Sequence, residues 1–447
     1  MTAPARTAAF QALVAIAAER ADLPSTLAHS RALLSDERDR ALTAAIVTGT
    51  VRWQRTLDHL IEHFARRPLA KLDPNVLVVL RLSLYQLLHL DRVPAAAVVD
   101  DAVNMTRAAR KTSAAGFVNA VLRSTLRQRN QLPLPPRPQD DQSREQALAY
   151  LGITHSHPEW LVARWLDRYG LDRAEQWVRF NNDAAPLTLR TNRLRLERDQ
   201  LRAKLAADGV DTAPTRYAPD GLIVTAGNPL RTRTDGSFLV QDEASQLVPL
   251  AVDAQPGERI LDLCASPGGK TVAMAGSMRD SGVLVACDVR AKRVSLMRDT
   301  LAPSGAHHVH IVHVGTTEPL PFEPVFDCVL VDAPCSGLGT LRRDPEIRWR
   351  RRESELVVLA RQQLELLTRA AAVVRPGGRL VYATCSSEPE ENEALVDAFL
   401  EQSAFHAVDL RQSGPDDLQP LLDDRGMLRT LPFAHGLEAF FAAVMVR

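Results

Sequence analysis

Two short segments carry the residue types best suited to chemistry, Asp332-Ala-Pro-Cys-Ser-Gly337 and Tyr382-Ala-Thr-Cys-Ser386. Each places a cysteine, Cys335 or Cys385, among Pro, Ser, Thr and Gly where an apolar run gives way to a loop. A thiolate is a strong nucleophile, and a strand end is where it can meet a substrate. Upstream lies a tight glycine turn between a strand and a helix, Asp262-Leu-Cys-Ala-Ser-Pro-Gly-Gly-Lys-Thr271. Glycine has no Cβ, so such a turn lets backbone approach a bound nucleoside. Two thiols downstream of a nucleoside turn suit one demanding reaction, methylation of a cytosine at C5. That carbon is too poor a nucleophile to take a methyl group until a thiolate has added at C6. One sulfur is then expected to attack and the second to assist.

Asp288 ends the next strand, 20 residues beyond Gly268, where a carboxylate can accept hydrogen bonds from ribose hydroxyls. The turn is neither Gly-x-Gly-x-x-Gly nor a Gly-x-x-x-x-Gly-Lys-Ser/Thr phosphate cradle, so a nucleoside cofactor is expected there. Only five of the 54 basic residues are lysines, so Lys270 beside two glycines points to a need for a compact amine. It either lowers the pKa of a thiol or pairs with Asp332 and orients it. The other cysteines, Cys264, Cys287 and Cys328, sit inside apolar strands and read as core packing. An odd cysteine count without Cys-x-x-Cys spacing argues against a disulfide framework or zinc. Strand alternation splits His307 and His313 from His308 and His310, so no metal site is expected.

These segments need elements to position them. Beyond residue 236 short apolar strands at 259–264, 283–288, 309–313, 326–332 and 379–384 alternate with helices at 269–277, 291–301, 353–374 and 391–402. Such alternation predicts an α/β, doubly wound, largely parallel sheet with its ligand sites at the carboxyl ends of the strands. Adjacent strand ends lie only about 5 Å apart, close enough for both sulfurs to face one substrate. Residues 1–130 read as all-helical, 131–145 as a proline-rich linker, 146–235 as a small α+β module and 236–447 as the chemical domain. At 447 residues, several domains are expected. Net charge is formally zero, which excludes a uniformly basic coat but not a local basic path. No apolar run suggests a membrane span or a signal peptide, so a cytoplasmic protein is expected.

The three motifs resemble the S-adenosylmethionine-dependent RNA cytosine-C5 methyltransferases, as do Val240-Gln-Asp-Glu-Ala-Ser245 and the continuation of the last motif to Pro389-Glu-Glu-Asn392. The resemblance implies that Cys385 attacks C6, Cys335 promotes product release, and Asp332 holds or protonates the base edge, with Lys270 in the same catalytic group. It also implies a Rossmann-like methyltransferase sheet with S-adenosylmethionine held by Cys264, Ala265, Ser266, Pro267, Gly268, Gly269, Lys270, Asp288, Arg290, Thr316 and Asp332. In front, Leu84-Tyr-Gln-Leu-Leu88 and Phe117-Val-Asn-Ala-Val-Leu-Arg123 resemble the NusB-like RNA-binding domain. Joined to the chemical half, this is similar to the RsmB/Sun/Fmu group, which implies a small-subunit ribosomal RNA substrate, no obligate protein partner and a monomer. Where that group commonly carries an acid at the cofactor adenine, this chain has Gly315-Thr316-Thr317. Arg342, Arg343, Arg348, Arg350, Arg351 and Arg352, interleaved with Trp349, are candidates for phosphate and base contacts, set against a plain solvated helix start. The rivals are a transfer-RNA or exocyclic-amine methyltransferase and a non-catalytic RNA-binding factor.

Overall fold

Apolar residues recurring every three to four positions build the front of the chain from the helices Pro4–Ala17, Leu23–Leu33, Glu37–Arg52, Gln54–Ala65, Pro74–His89, Ala95–Ala108 and Ala115–Arg127. Pro74–His89 is the hub, with most of its residues from Val76 to Leu87 buried. Asp73 starts it by accepting from the amides of Asn75 and Val76, and Pro74 occupies the first turn, where no amide is needed. The computed structural model describes residues 2–139, 143–231, 235–316 and 318–447. Residues 140–142 of the proline-rich segment therefore lie outside the described residues, as does Thr317. Among the described residues no helix is long and apolar enough to cross a membrane.

The chain divides into two units, Met1–Asp183 with Leu341–Arg350, and Ala184–Thr340 with Arg351–Arg447. The first adds to the helices above Arg144–Ala149 and the long helical stretch Glu159–Asn182, which breaks at Gly170, where φ is +76°. Its detached piece, Leu341–Arg350, is held by Arg348, which is wholly buried. The guanidinium donates to the carbonyls of Ser156 (3.0 Å), Asn181 (3.4 Å) and Leu341 (3.3 Å) and to Asn182 Oδ1 (3.0 Å). Burial pulls its pKa well below the ordinary arginine value. Trp349 packs against the helical core and donates from Nε1 to the Val51 carbonyl at 2.7 Å. Glu346 accepts from the Leu23 amide at 2.8 Å, serving the otherwise unpartnered start of a helix. Arg348 and Trp349, candidates from sequence for phosphate and base contacts against a solvated helix start, are neither: their polar atoms are turned into the unit.

In the second unit a four-stranded antiparallel sheet runs in the order β2-β3-β1-β4, from β1 (Thr188–Thr191), β2 (Asp211–Pro214), β3 (Gly221–Ala226) and β4 (Phe238–Val240). β4 is only three residues long. Asn192, just after β1, donates to the carbonyls of Gly236 and Ser304 and ties this sheet to the larger one.

The large sheet contains β5 (Arg259–Asp262), β6 (Val283–Asp288), β7 (Val309–His313), β8 (Phe326–Asp332), β9 (Val374–Thr384), β10 (His406–Ala407), β11 (Leu428–Arg429) and β12 (Phe441–Val446). Its order is β10-β12-β9-β8-β5-β6-β7, with β11 on β12; β7 to β9 are parallel and β12 runs antiparallel to β9. The fold is the α/β, Rossmann-like sheet behind an all-α region that the pattern predicted. β12 was not foreseen, because a continuous apolar run reads equally as buried helix. Successive strands diverge at β5, from which β6 departs to one side and β8 lies on the other, and ligands bind where such a sheet switches direction.

Replacing Arg348 by Ala strands four acceptors inside the helical unit. Thermal unfolding of Arg348→Ala is expected to show a loss of more than about 2 kcal/mol; an unchanged melting curve would mean the buried guanidinium contributes nothing net.

Candidate active site

The carboxyl end of β5 delivers Asp262, wholly buried, whose Oδ2 accepts from Thr271 Oγ1 at 2.7 Å. Its Oδ1 has no hydrogen-bond partner among the described residues. Burial raises its pKa to about 7, with the charges of Asp332 and Asp288 acting in the same direction against the Thr271 hydrogen bond and Lys270. From there the chain turns through Gly268, whose φ of +102° is ordinary only for glycine, into the helix Gly269–Ser277. At the end of β6, Asp288 is buried, accepts from the Arg290 amide at 2.9 Å and lies 3.9 Å from Arg293.

A cavity of about 500 Å³ opens over these strand ends, within the usual range for small-molecule sites. Of the residues expected from sequence, Cys264, Ser266, Lys270, Asp288, Arg290, Asp332, Cys335 and Cys385 line it. Ala265, Pro267, Gly268, Gly269 and Thr316 do not; the first four are the turn beside it. Gly315 lines the cavity in place of Thr316, and the carbonyls of Gly315 and Thr316 both accept from the Arg369 guanidinium. Sequence reasoning missed Arg369, Leu366, Val314 and Phe440, all lining residues. Phe440 becomes legible only from the pairing of Phe441 with Thr384, which sets it beside Cys385. Arg351, another lining residue, donates to the carbonyls of Ser336 (2.9 Å) and Cys335 (3.3 Å), so it braces the thiol loop and is not a free phosphate ligand.

The sulfurs of Cys335 and Cys385 are 3.2 Å apart as free thiols, both half-buried. Their mutual hydrogen bond and burial push the Cys335 thiol pKa well up. Lys270 Nζ donates to Asp332 Oδ2 at 2.6 Å, so it pairs with that carboxylate. Burial opposes its charge, but the charge and hydrogen bond of Asp332, with the nearby Cys385, outweigh this and raise its pKa. Gly339 holds the two loops together: its amide donates to the Cys385 carbonyl at 2.9 Å and its carbonyl accepts from Ala439 at 3.0 Å. A Cβ there would fall 1.9 Å from the Ala439 oxygen and 2.7 Å from that of Cys385. One cavity thus joins two free sulfurs, a cation–carboxylate pair and the buried carboxylate of Asp288.

Comparison with known proteins points the same way. Residues 249–446 match the family model described as 16S rRNA methyltransferase RsmB/F, residues 3–127 the NusB family, and residues 157–231 the RsmF/B-like ferredoxin-like domain. The Bacillus subtilis protein named "Probable ribosomal RNA small subunit methyltransferase B" is 34% identical over 421 residues, 92% of this chain and 91% of that one. Ribosomal RNA small subunit methyltransferase B of Pseudomonas putida is 34% identical over 400 residues, 88% of each. The crystal structure of PH0851 superposes with a TM-score of 0.80 at 26% identity, covering 100% of this chain and 99% of that one.

Two outcomes are expected of the site itself. An unfolded aspartate ionises near 3.8 and folded Asp262 only near 7, so this group favours folding at low pH and loses that contribution as pH rises through 7. The melting temperature of Asp262→Asn relative to wild type is therefore expected to climb between pH 5 and 8; a flat or falling difference would contradict the neutral carboxyl. Gly339→Ala is expected to cut turnover about 100-fold by displacing the thiol loops, while equilibrium dialysis still detects cofactor binding.

Proposed function

The chain belongs to the RsmB/F family of 16S rRNA methyltransferases, whose methyl donor is S-adenosylmethionine, and on that premise we propose that it methylates C5 of a cytosine in small-subunit ribosomal RNA through a covalent bond between Cys385 and C6. The observation that carries this reading is the 3.2 Å approach of two free sulfurs inside the cavity that also holds Asp288. The cavity fits the donor: Asp288 offers a buried acceptor for ribose hydroxyls, Val314 and Leu366 offer apolar surface, and the glycine turn offers close backbone. Bound there, S-adenosylmethionine supplies an electrophilic methyl group on a sulfonium.

Cys385 adds to C6 as its thiolate, the electron pair of the C5–C6 double bond moves to C5, and C5 would take the methyl group as its C–S bonding pair stays with the donor's sulfur, leaving a neutral thioether. Negative charge that collects on the base edge during this addition is compensated by the Lys270 ammonium, while Asp332, ion-paired with it, holds or protonates that edge. Release requires the C5 proton to leave, its bonding pair to restore the double bond, and the C6–S pair to return to Cys385. Cys335, kept protonated by its surroundings, lies where its thiol can hydrogen-bond the departing thiolate, while a water molecule takes the C5 proton. A methylated exocyclic amine would call for Asn/Asp-Pro-Pro-Tyr/Phe at the end of β8, where this chain has Asp332-Ala-Pro-Cys335.

The helical domain over 1–130 and the α+β module over 146–235, either side of the 131–145 linker, are proposed to grip the surrounding RNA, with the chemistry over 236–447 carried out by a cytoplasmic monomer. An unstacked target base is needed to reach the sulfurs.

Cys385→Ala is expected to abolish methyl transfer, and Cys335→Ala to accumulate a protein–RNA adduct that survives denaturing electrophoresis. Equal loss of activity in both without adduct would overturn the assignment of roles. Mapping of 5-methylcytosine in cells lacking the protein is expected to show a loss confined to small-subunit ribosomal RNA, whereas a loss in transfer RNA would redirect the substrate.

A further inference from the structure

One carboxylate stands behind both cysteines. Glu391 is wholly buried, in the short turn Pro389–Glu391 that follows the Cys385 loop. Its Oε1 accepts from the Ser336 amide and from Gln363 Nε2, each at 2.8 Å. Its Oε2 accepts from the Ser336 hydroxyl at 2.5 Å and from the Ser386 hydroxyl. Ser336 and Ser386 are the residues that follow Cys335 and Cys385, and their own hydroxyl oxygens are 3.1 Å apart. Among the described residues no lysine or arginine pairs with Glu391. A buried carboxylate held only by neutral donors is costly to fold around, and an apolar residue would be the less demanding filler for a purely structural position.

The alternative sources of register are weaker. Parallel pairing of β8 with β9 ends at Asp332 opposite Ala383, short of both cysteines. Beyond that point the sulfurs are placed by loops, and loops wander unless pinned. Glu391 is itself anchored to β9, because its carbonyl accepts from the Tyr382 hydroxyl at 2.7 Å and the next residue, Asn392, donates to the Ser386 carbonyl at 3.0 Å. Its negative charge also adds to the influences that keep Cys335 protonated.

We propose that Glu391 is the positioning residue for the two-thiol step: by binding the residue after each cysteine it fixes the spacing of the two sulfurs, and its contribution falls on product release, where both sulfurs act together. This rests on the covalent mechanism proposed above. Glu391→Gln retains the shape but turns one acceptor into a donor facing hydroxyls, so the clamp on Ser336 and Ser386 loosens.

The test measures steady-state methylation, S-adenosylmethionine affinity and adduct trapping on the full-length protein with ribosomal RNA, beside Cys335→Ala. Glu391→Gln is expected to keep cofactor affinity, to lower kcat about 10- to 100-fold, and to trap a fraction of the enzyme as a denaturant-resistant adduct. A role in folding alone would lower active enzyme without shifting the ratio of adduct to product. If Cys335→Ala traps adduct while folded Glu391→Gln turns over normally, or loses product and adduct together, the inference about Glu391 fails by itself. If Cys335→Ala traps nothing, the covalent two-thiol mechanism fails first. Should Glu391→Gln not fold, Ser336→Ala and Ser386→Ala each remove one arm of the clamp. Each is then expected to raise the adduct-to-product ratio, and normal ratios in both would overturn the proposal.

Discussion

The parallel pairing of β8 with β9 is the constraint on which the site depends. Because the two strands run the same way, both leave the sheet on its carboxyl side, and residues remote in sequence emerge as neighbours. Asp332 and Cys335 follow one strand end and Cys385 the other, so this register brings the two cysteine loops side by side. β12 then closes the far side of β9 in antiparallel register, and Gly339, pressed between the Cys385 and Ala439 carbonyls, allows the loops to approach as closely as they do. The flanking strand thus contributes to chemistry it does not itself perform.

Charge in this pocket is organised so that few buried groups stand alone. Lys270 would lose its proton in an apolar interior, yet the contact with Asp332 holds it charged and at the same time aims the carboxylate. Asp262, deeper in the fold, is ion-paired to no cation among the described residues, and burial raises its pKa to about 7. The Cys335 thiol follows the same logic: its hydrogen bond with Cys385, its burial and the nearby charge of Glu391 all raise its pKa.

The arginine-rich stretch after the Cys335 loop shows how composition can mislead. Six arginines and a tryptophan near a reactive loop suggest a nucleic-acid surface, but the chain spends several of them on its own backbone. Arg348 satisfies carbonyls inside the helical unit, Trp349 packs against that unit's core, and Arg351 braces the loop that carries Cys335. A guanidinium that donates through a planar fork is suited to gathering carbonyls of unrelated segments, and only the tertiary environment distinguishes that use from binding phosphate.

What could be read directly was whatever depends on neighbours in sequence. Strand–helix alternation over residues 259–402, the tight turn at Gly268, Asp288 at the end of the following strand, and the two cysteines at strand ends are local patterns, since hydrophobic period and turn chemistry act over a few residues. Lys270 remained ambiguous between a thiol and Asp332, Glu391 stood only within the Pro389–Asn392 motif with no part assigned to it, and Phe440 and Arg369 carried no local signal at all. Their parts follow from pairings across tens of residues: β12 on β9 for Phe440, the helix over Gly315 for Arg369, and two serines 50 residues apart for Glu391. The sequence by itself determined the reagents and the elements that bear them, because backbone propensity is a short-range property. Which reagents face one another was decided only by the tertiary structure, because strand order, register and buried hydrogen bonding are settled by the whole core at once.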